Sequence, residues 1–250
     1  MNAGVLAFGD SITNGGGELQ RGVALQSWAL WTARGLGLPY TGYAVDGARM
    51  VDVVNAQMPA FAARTAIPAA RYAVGCLYIG VNDVRAYDWD AEAFATQHAQ
   101  AVAFLRERCD RVLVVTLPED LGRPRAGGVD AANAIILAAG ETVLDLRGFG
   151  ARNLVMTDHV HPTAFGQVWI AERALDVLAA DGVDVRVRPS SLISPGGRTR
   201  LRSLQGDWTY VYRALKAQAR AAAAARRAAR AAAARSDSPQ TAAARTPADP

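Results

Sequence analysis

Residue types suited to nucleophilic chemistry stand at intervals along the 250-residue chain. Serine is a weak nucleophile until a base takes its proton, and imidazole is the side-chain base suited to neutral pH. Ser11 and His161 supply these two groups, and Asp158, three residues before the histidine, could hold the imidazole in one tautomer. The amide side chain of Asn82 and the backbone N–H groups of Gly47 and Ser11 could stabilise the oxyanion of a tetrahedral intermediate.

Each of these residues also has an ordinary structural interpretation. Taken alone, Ser11 is a helix N-cap, Gly47 a turn glycine, and Asn82 a loop residue whose side chain bonds its own backbone. His159 competes with His161 for the part of the base. The spacing Asp-x-x-His-Pro favours His161, because the last predicted helix begins just beyond it.

Short apolar runs alternate with helical patterns along most of the chain. Strands are predicted over residues 5–8, 40–45, 74–79, 111–117 and 143–146. Helices are predicted over residues 28–36, 51–61, 91–108, 131–139 and 163–180. This alternation implies parallel strands, and apolar inner strands belong to a sheet that is covered on both faces. The predicted fold class is α/β: a three-layer α/β/α sandwich with a mostly parallel sheet of five strands.

In such sheets a functional site lies outside the carboxyl ends of the strands. Residues 9–13 follow the first predicted strand, 46–48 the second and 80–83 the third, and residues 158–162 precede the last predicted helix. We therefore expect the serine, the glycine, the asparagine and the Asp/His pair to meet at one edge of the sheet.

These segments resemble the sequence blocks of the SGNH hydrolases, also called the GDSL esterase/lipase family. Residues 9–12 match the first block as Gly-Asp-Ser-Ile, with Ile in place of the more usual Leu. Residues 80–83 match the block Gly-x-Asn-Asp in full, and residues 158–162 match Asp-x-x-His-Pro. Gly47 is the best match to the glycine of the second block, of which little else is diagnostic. The resemblance spans residues 4 to about 180.

The resemblance implies a role for each residue. Ser11 would be the nucleophile, His161 the general base and then the general acid, and Asp158 the carboxylate that orients His161. The N–H groups of Ser11 and Gly47 and the side chain of Asn82 would form the oxyanion hole. The family's fold is a flavodoxin-like sandwich, and its chemistry needs no metal and no cofactor.

The expected activity is hydrolysis of a small-molecule carboxylic ester through an acyl-enzyme on Ser11. An acyltransferase would use the same residues, with a sugar or alcohol in place of water, and the sequence does not separate the two. A protein that only binds, through its basic tail, is the remaining alternative, and the presence of Ser11, Asn82 and His161 argues against it. The acyl chain length and the oligomeric state stay open.

Residues near the expected oxyanion hole are candidates for contact with substrate. The segment that directly follows Asn82 lies where the family often places walls of its pocket, and a further candidate stands two residues after Gly47. The four rim candidates are Arg85, Tyr87, Trp89 and Arg49.

Other residues that often carry chemistry have simpler interpretations here. Trp28 and Trp31 are expected in the core, and His98 on the surface of its helix. Cys76 and Cys109 are expected to be inert thiols, because two cysteines make neither a disulfide framework nor a metal cluster.

Charge divides the chain unevenly. Residues 1–200 hold 18 arginines and 20 acidic residues, a net charge of −2, whereas residues 201–250 hold 9 basic and 3 acidic residues, a net charge of +6. The predicted division is a catalytic domain over 1–182, an extension packed on it over 183–215, and an Ala/Arg-rich basic helix with a disordered end over 216–250. This tail is expected to be solvated; the alternative is weak contact with anionic lipid or nucleic acid.

Two sequence features bear on location. No apolar run reaches the ~18 residues that a membrane span needs. The N-terminus shows neither a basic leader nor a cleavage site. We therefore expect a cytoplasmic protein.

Overall fold

A parallel sheet organises the computed structural model, which describes residues 4–20, 22–64, 71–151 and 153–194 and the separate positions Leu215, Ala219, Ala222 and Arg226. Its strands are β1 (Val5–Gly9), β2 (Tyr40–Gly42), β3 (Tyr72–Tyr78), β4 (Cys109–Val115) and β5 (Thr142–Leu144). They lie in the order β2-β1-β3-β4-β5, and each neighbouring pair is parallel. This is the flavodoxin-like order, so the predicted fold class is confirmed.

Helices cover both faces of the sheet. They are α1 (Ser11–Asn14), α2 (Trp28–Leu36), α3 (Met50–Asp52), α4 (Met58–Arg64), α5 (Val81–Arg85), α6 (Ala91–Arg108), α7 (Gly128–Leu137) and α8 (Ala164–Ala180). Helix α2 packs beside α8, whereas α6 packs on β3, β4 and α7. Because crossovers between parallel strands are right-handed, these two groups fall on opposite faces of the sheet.

The helix predicted over residues 51–61 is interrupted by a turn of π-helix. The π segment Val53–Gln57 lies between α3 and α4, and the N–H of Met58 bonds the carbonyl of Val53, five residues earlier. Pro59 explains the wider turn, because it has no N–H and its ring would clash with the carbonyl four residues before it. The widened turn directs the side chain of Gln57 into the core, where it is 2% exposed.

Several predicted boundaries differ from the observed ones. Strand β2 ends at Gly42 rather than at residue 45, although the N–H groups of Tyr43 and Val45 still bond backbone carbonyls of β1. A turn closed by the Ala48 N–H and the Val45 carbonyl follows. Strand β4 begins at Cys109, directly after α6, and ends two residues earlier than predicted. Helix α7 begins at Gly128 rather than at residue 131.

The core holds the apolar residues of all the inner strands, and it corrects one prediction. Trp28 and Trp31 are buried, as expected, and Cys76 and Cys109 are buried free thiols. His98 is not on the surface: it is 3% exposed and its ring stacks on Phe94 at a centroid distance of 5.9 Å. The periodicity of α6 did not reveal this, because a histidine on the apolar face of a helix looks like a polar residue. Burial lowers the pKa of His98 to about 4.

The chain divides into two compact units, Met1–Tyr210 and Val211–Pro250. In the first unit, the N–H groups of Arg186 and Val187 both bond the carbonyl of Gly35, so the segment after α8 packs against the end of α2. In the second unit, Leu215 is helical and exposed. The remaining predictions for the extension beyond residue 194 and for most of the basic tail lie outside the described residues. Among the helices that are described, none is long and apolar enough to cross a membrane.

Two buried amide side chains complete the backbone hydrogen bonding where strands end. At the end of β1, Gln57 accepts from the Gly9 N–H at 3.0 Å and donates to the Gly9 carbonyl at 2.8 Å. Beyond β4, Asn133 accepts from the Leu117 N–H at 2.7 Å and donates to its carbonyl at 3.0 Å. Asn133 takes the place of a neighbouring strand, whereas Gln57 pairs the Gly9 N–H and shares the Gly9 carbonyl with the Val45 N–H, which bonds it at 3.2 Å. The chain therefore leaves the sheet at both places with these backbone groups paired.

We expect Gln57→Ala and Asn133→Ala each to lower the free energy of unfolding by about 1–3 kcal/mol, the cost of leaving buried backbone groups unpaired. Urea denaturation followed by tryptophan fluorescence measures this change. A loss below about 0.5 kcal/mol in both variants, the range typical of surface substitutions, would contradict the account.

Candidate active site

Ser11 stands where β1 turns into the short helix α1. Asp10 caps this helix with extended backbone, and its Oδ1 accepts the N–H of Ile12 at 3.0 Å. Capping is the ordinary task of an aspartate at this position. Asp10 is 1% exposed, and burial raises its pKa to about 7. Ser11 is itself 9% exposed, so its hydroxyl is largely shielded from solvent.

A tight turn carries Asp158 and His161. It is closed by the bond from the Met156 N–H to the His161 carbonyl at 2.8 Å. Within it, Asp158 Oδ1 accepts the N–H groups of Val160 and His161 at 2.9 and 3.0 Å. His159 occupies the left-handed conformation with φ of 61°, which lets the chain reverse. The carboxylate and the imidazole are therefore positioned by the same turn.

The glycine-rich segment after α1 brings this turn to Ser11. A Cβ on Gly17 would lie 2.1 Å from the Pro162 carbonyl oxygen, so only glycine permits this approach. Beside it, Glu18 pairs with Thr163 in a parallel bridge, and the Glu18 carbonyl accepts the Ala164 N–H at 3.0 Å. The start of α8 is thus held against the end of α1.

These contacts align a serine, a histidine and an aspartate in one line of hydrogen bonds. Ser11 Oγ lies 2.7 Å from His161 Nε2, and His161 Nδ1 lies 2.6 Å from Asp158 Oδ2. With Nδ1–H donating to the carboxylate, Nε2 presents its lone pair to the serine hydroxyl. This arrangement can remove the serine proton and store it on the imidazole.

The pKa values of His161 and Asp158 follow from these hydrogen bonds and from burial. The hydrogen bond that His161 donates to the Asp158 carboxylate raises the pKa of His161 above its ordinary 6.5, against an opposing effect of burial. Burial would raise the pKa of Asp158, but the bonds from the His161 side chain and from the Val160 and His161 N–H groups hold it below its usual value. The carboxylate is therefore ionised at neutral pH.

Gly47 and Asn82 meet at the same edge of the sheet. The turn from Val45 to Ala48 places Gly47 at φ of 77°, and a Cβ there would meet no atom within 4 Å, so the backbone conformation alone favours glycine. Asn82 Nδ2 donates to the Ala48 carbonyl at 2.9 Å. Asn82 stands in α5, directly after β3, so the ends of two strands are joined here.

Two aspartates that were not singled out as site residues hold this turn in place. Asp46 Oδ1 accepts from Asn14 Nδ2 at 2.9 Å, which ties the turn to the end of α1. Both carboxylate oxygens of Asp83 accept the Met50 N–H, at 3.0 and 3.2 Å. Burial raises the pKa of Asp83, against the opposing effects of that N–H and of Arg49. Asp83 is the last residue of the Gly-x-Asn-Asp block, and this motif was the feature of the sequence that could have pointed to it.

The four rim candidates occupy different environments. Arg49 Nη1 bonds both carboxylate oxygens of Asp88 at 3.1 Å, so its guanidinium is already paired. Arg85 donates to the Leu121 carbonyl. Tyr87 is 96% exposed, and the Arg125 guanidinium lies 4.2 Å from its ring centroid.

The fourth candidate, Trp89, turns toward the core. Its ring packs on Phe94 at a centroid distance of 5.4 Å and is half-buried.

The second histidine of the turn has a different partner. His159 Nδ1 lies 2.9 Å from Asp120 Oδ2, in the loop after β4, and the structure brings only His161 to Ser11. Nothing in the sequence pointed to Asp120, because the pairing joins two loops. Within the described ranges, no group of three or more His, Cys, Asp or Glu side chains is arranged to hold a metal ion.

The chain is similar to known proteins in both sequence and fold. The sequence profile of the GDSL-like lipase/acylhydrolase family matches residues 7–169. A member of the lipolytic protein G-D-S-L family from Veillonella parvula DSM 2008 has a similar structure, with a TM-score of 0.55 at 21% identity over 70% of this chain and 97% of that chain. Axe2, an acetylxylan esterase from Geobacillus stearothermophilus, has a TM-score of 0.51 at 18% identity over 74% and 100% of the two chains.

A third similar structure is LAE5, an α/β hydrolase enzyme from the metagenome of Lake Arreo, Spain, with a TM-score of 0.54 at 18% identity over 72% of this chain and 97% of that chain. At these identities the solved structures show the shared fold. No curated protein sequence matches the chain. The family profile covers well over half of the chain, from the middle of β1 into α8. The chain therefore belongs to the GDSL-like lipase/acylhydrolase family, and it is a carboxylic ester hydrolase.

Proposed function

We propose that the chain hydrolyses its ester through a covalent acyl-enzyme on Ser11. The observation that supports this most is the line of hydrogen bonds from Ser11 Oγ through His161 to Asp158, with lengths of 2.7 and 2.6 Å. A serine hydroxyl bonded to an imidazole that is itself oriented by a carboxylate is the arrangement that activates serine.

In the proposed first half-reaction, His161 Nε2 takes the proton as Ser11 Oγ attacks the ester carbonyl. The negative charge develops on the carbonyl oxygen, and the N–H groups of Ser11 and Gly47 and the free amide N–H of Asn82 donate to it. When the intermediate collapses, the C–O bond to the alcohol breaks, and His161 gives its proton to the departing oxygen. Asp158 stays ionised and stabilises the imidazolium throughout.

The second half-reaction repeats these steps with water as the nucleophile. His161 takes a proton from water as the water oxygen attacks the acyl carbon. The same donors hold the second oxyanion, and collapse breaks the bond to Ser11 Oγ while His161 returns the proton to it. The acid is released, and the enzyme is restored without a net change in its protonation.

The rim is proposed to contact the substrate through Arg85 and Tyr87. Arg85 offers donor N–H groups beyond its bond to Leu121, and Tyr87 is exposed two residues beyond the end of α5, the helix that carries Asn82. Arg49 is better explained by loop support, because Asp88 and Asp83 pair with its guanidinium. Trp89 is better explained by packing on Phe94.

The nucleophile can be tested directly. Ser11→Ala should lower kcat by roughly 10⁴–10⁶-fold while the protein remains folded, because no other group replaces the hydroxyl. A serine-reactive fluorophosphonate should label the wild-type protein once, on Ser11. Ser27→Ala is the matched control, since Ser27 Oγ caps α2 by accepting the Leu30 N–H at 3.0 Å and bonds the Tyr40 side chain, and neither contact involves Ser11 or His161. Undiminished turnover by folded Ser11→Ala would exclude the mechanism.

Asn82→Ala should lower kcat by about 10²–10³-fold with little change in KM, because an oxyanion donor acts mainly in the transition state. Steady-state kinetics on a short p-nitrophenyl ester measures both constants. Asn133→Ala, which removes a buried amide that bonds the Leu117 backbone beyond the carboxyl end of β4 and no proposed oxyanion donor, is the control and should leave kcat nearly unchanged. A change confined to KM would place Asn82 in ground-state binding instead.

The pH dependence follows from the raised pKa of His161. The imidazole acts as a base only when neutral, so kcat/KM should rise with pH through an apparent pKa above 6.5. Asp158→Asn removes the charge that favours the imidazolium and should shift this midpoint downward while lowering kcat. The measurement is a pH–rate profile of both proteins in buffers of constant ionic strength.

The matched histidine variants are His161→Ala and His159→Asn, since asparagine tolerates the left-handed backbone of residue 159. We expect His161→Ala to be inactive and His159→Asn to remain active. The reverse result would show that His159 is the base.

A further inference from the structure

Asp83 is a buried carboxylate that the proposed proton transfers do not use. It is 5% exposed and contacts the backbone of Met50, three residues after Gly47. Both of its oxygens accept the Met50 N–H, and Arg49 Nε lies 3.8 Å from Oδ1. A buried charge is costly unless its partners compensate it, and here the Met50 N–H and the Arg49 guanidinium do so.

Two adjacent side chains in α5 hydrogen-bond the backbone of the segment that connects Gly47 to α3. Asn82 Nδ2 donates to the Ala48 carbonyl, and Asp83 accepts from the Met50 N–H. The backbone from residue 48 to residue 50 and the chain at 82–83 therefore form a closed ring of covalent and hydrogen bonds. If the Ala48 carbonyl moved, the amide of Asn82 would turn with it, and the backbone of Gly47, one residue earlier in the same turn, would be displaced.

The ring determines which amide hydrogen of Asn82 is free. The side-chain amide has two N–H donors, and the Ala48 carbonyl takes one of them. The direction of the second is then fixed, because the amide is planar. Oxyanion donors are effective only when they already point to the place where charge develops.

We propose that Asp83 is a positioning residue of the oxyanion hole, which holds residues 48–50 so that the Gly47 N–H and the free N–H of Asn82 converge on one point. The inference rests on the proposed function, in which those two donors stabilise the oxyanion. Asp83 acts through Ala48 and Gly47 rather than on the substrate.

Asp52 offers a matched comparison at the same helix end. Its Oδ2 accepts the Arg49 N–H at 2.8 Å, so it also caps the start of α3. Its bond is exposed and involves neither Ala48 nor Asn82. If Asp83 only caps the helix, removing either carboxylate should affect catalysis alike; if Asp83 positions the donors, only its removal should lower kcat.

The experiment measures kcat, KM and the midpoint of thermal unfolding for Asp83→Ala, Asp52→Ala and Asp83→Asn, with p-nitrophenyl acetate as substrate. We expect Asp83→Ala to lower kcat about 10–100-fold with KM within about threefold, because donors displaced by a fraction of an ångström lose transition-state binding. Asp52→Ala should lower the unfolding midpoint but leave kcat within about twofold, as expected for loss of a cap. Asp83→Asn should recover most of kcat, since its amide oxygen can still accept the Met50 N–H.

A double-variant cycle separates positioning from an independent effect. If Asp83 acts through the donors, adding Asp83→Ala to Asn82→Ala should lower kcat by clearly less than the product of the two single effects. Wild-type kcat in folded Asp83→Ala, equal kcat losses in Asp83→Ala and Asp52→Ala, or a fully multiplicative cycle would overturn the inference.

If Asp83→Ala does not fold, Asp83→Glu replaces it, because glutamate keeps the negative charge and moves only the accepting oxygens. The same loss of kcat is expected for Asp83→Glu, and wild-type kcat in that variant would overturn the inference.

The proposed function and the positioning role of Asp83 can be refuted separately. An active Ser11→Ala protein would refute the acyl-enzyme whatever Asp83 does. An inactive Ser11→Ala protein together with unimpaired kcat in Asp83→Ala would refute only the positioning role.

Discussion

The 2.7 Å contact between Ser11 Oγ and His161 Nε2 is the interaction on which the rest of the site depends. It joins residues 150 positions apart in the chain. The serine at the end of β1 and the histidine in the turn before α8 can exchange a proton only when the two segments lie side by side. Hydrogen bonds weaken steeply when they lengthen or bend. The fold must therefore hold a strand end and a distant turn in register to within a fraction of an ångström.

Buried polar bonds, rather than apolar packing alone, provide this precision. Gln167 of α8 is fully buried and accepts the Trp28 N–H at 2.7 Å while donating to the carbonyls of Ile12 and Gly16 at 3.0 and 3.1 Å. Gln57 holds the backbone of Gly9, two residues before the serine. Apolar contacts are non-directional, whereas satisfied buried amides specify one arrangement. The same principle recurs where Asp83 and Asn82 hold the turn of Gly47.

The sheet and the positions of the candidate site residues could be predicted from the sequence for one physical reason. Parallel strands bring their carboxyl ends to one edge, so polar residues that directly follow apolar runs must gather there. This rule singled out Ser11, Asn82 and Gly47 as candidates. The spacing Asp-x-x-His-Pro, together with the resemblance to the family's sequence blocks, singled out Asp158 and His161.

Features that depend on partners distant in sequence were missed. The burial of His98 on Phe94, the pairing of His159 with Asp120 and the anchoring of Met50 by Asp83 all join separate segments. A local pattern does not encode such contacts. The π turn is an intermediate case, because Pro59 was visible in the sequence but the wider turn that accommodates it required the structure.

In the proposed mechanism, Ser11 carries the acyl group during turnover. Mixing the enzyme with excess p-nitrophenyl acetate, quenching in acid within milliseconds to seconds and mapping the digested protein by mass spectrometry tests it most directly. The account predicts one added acetyl group, on the peptide that contains Ser11, which decays as the substrate is consumed. An acetyl group that forms and decays at the turnover rate on a different residue would contradict it.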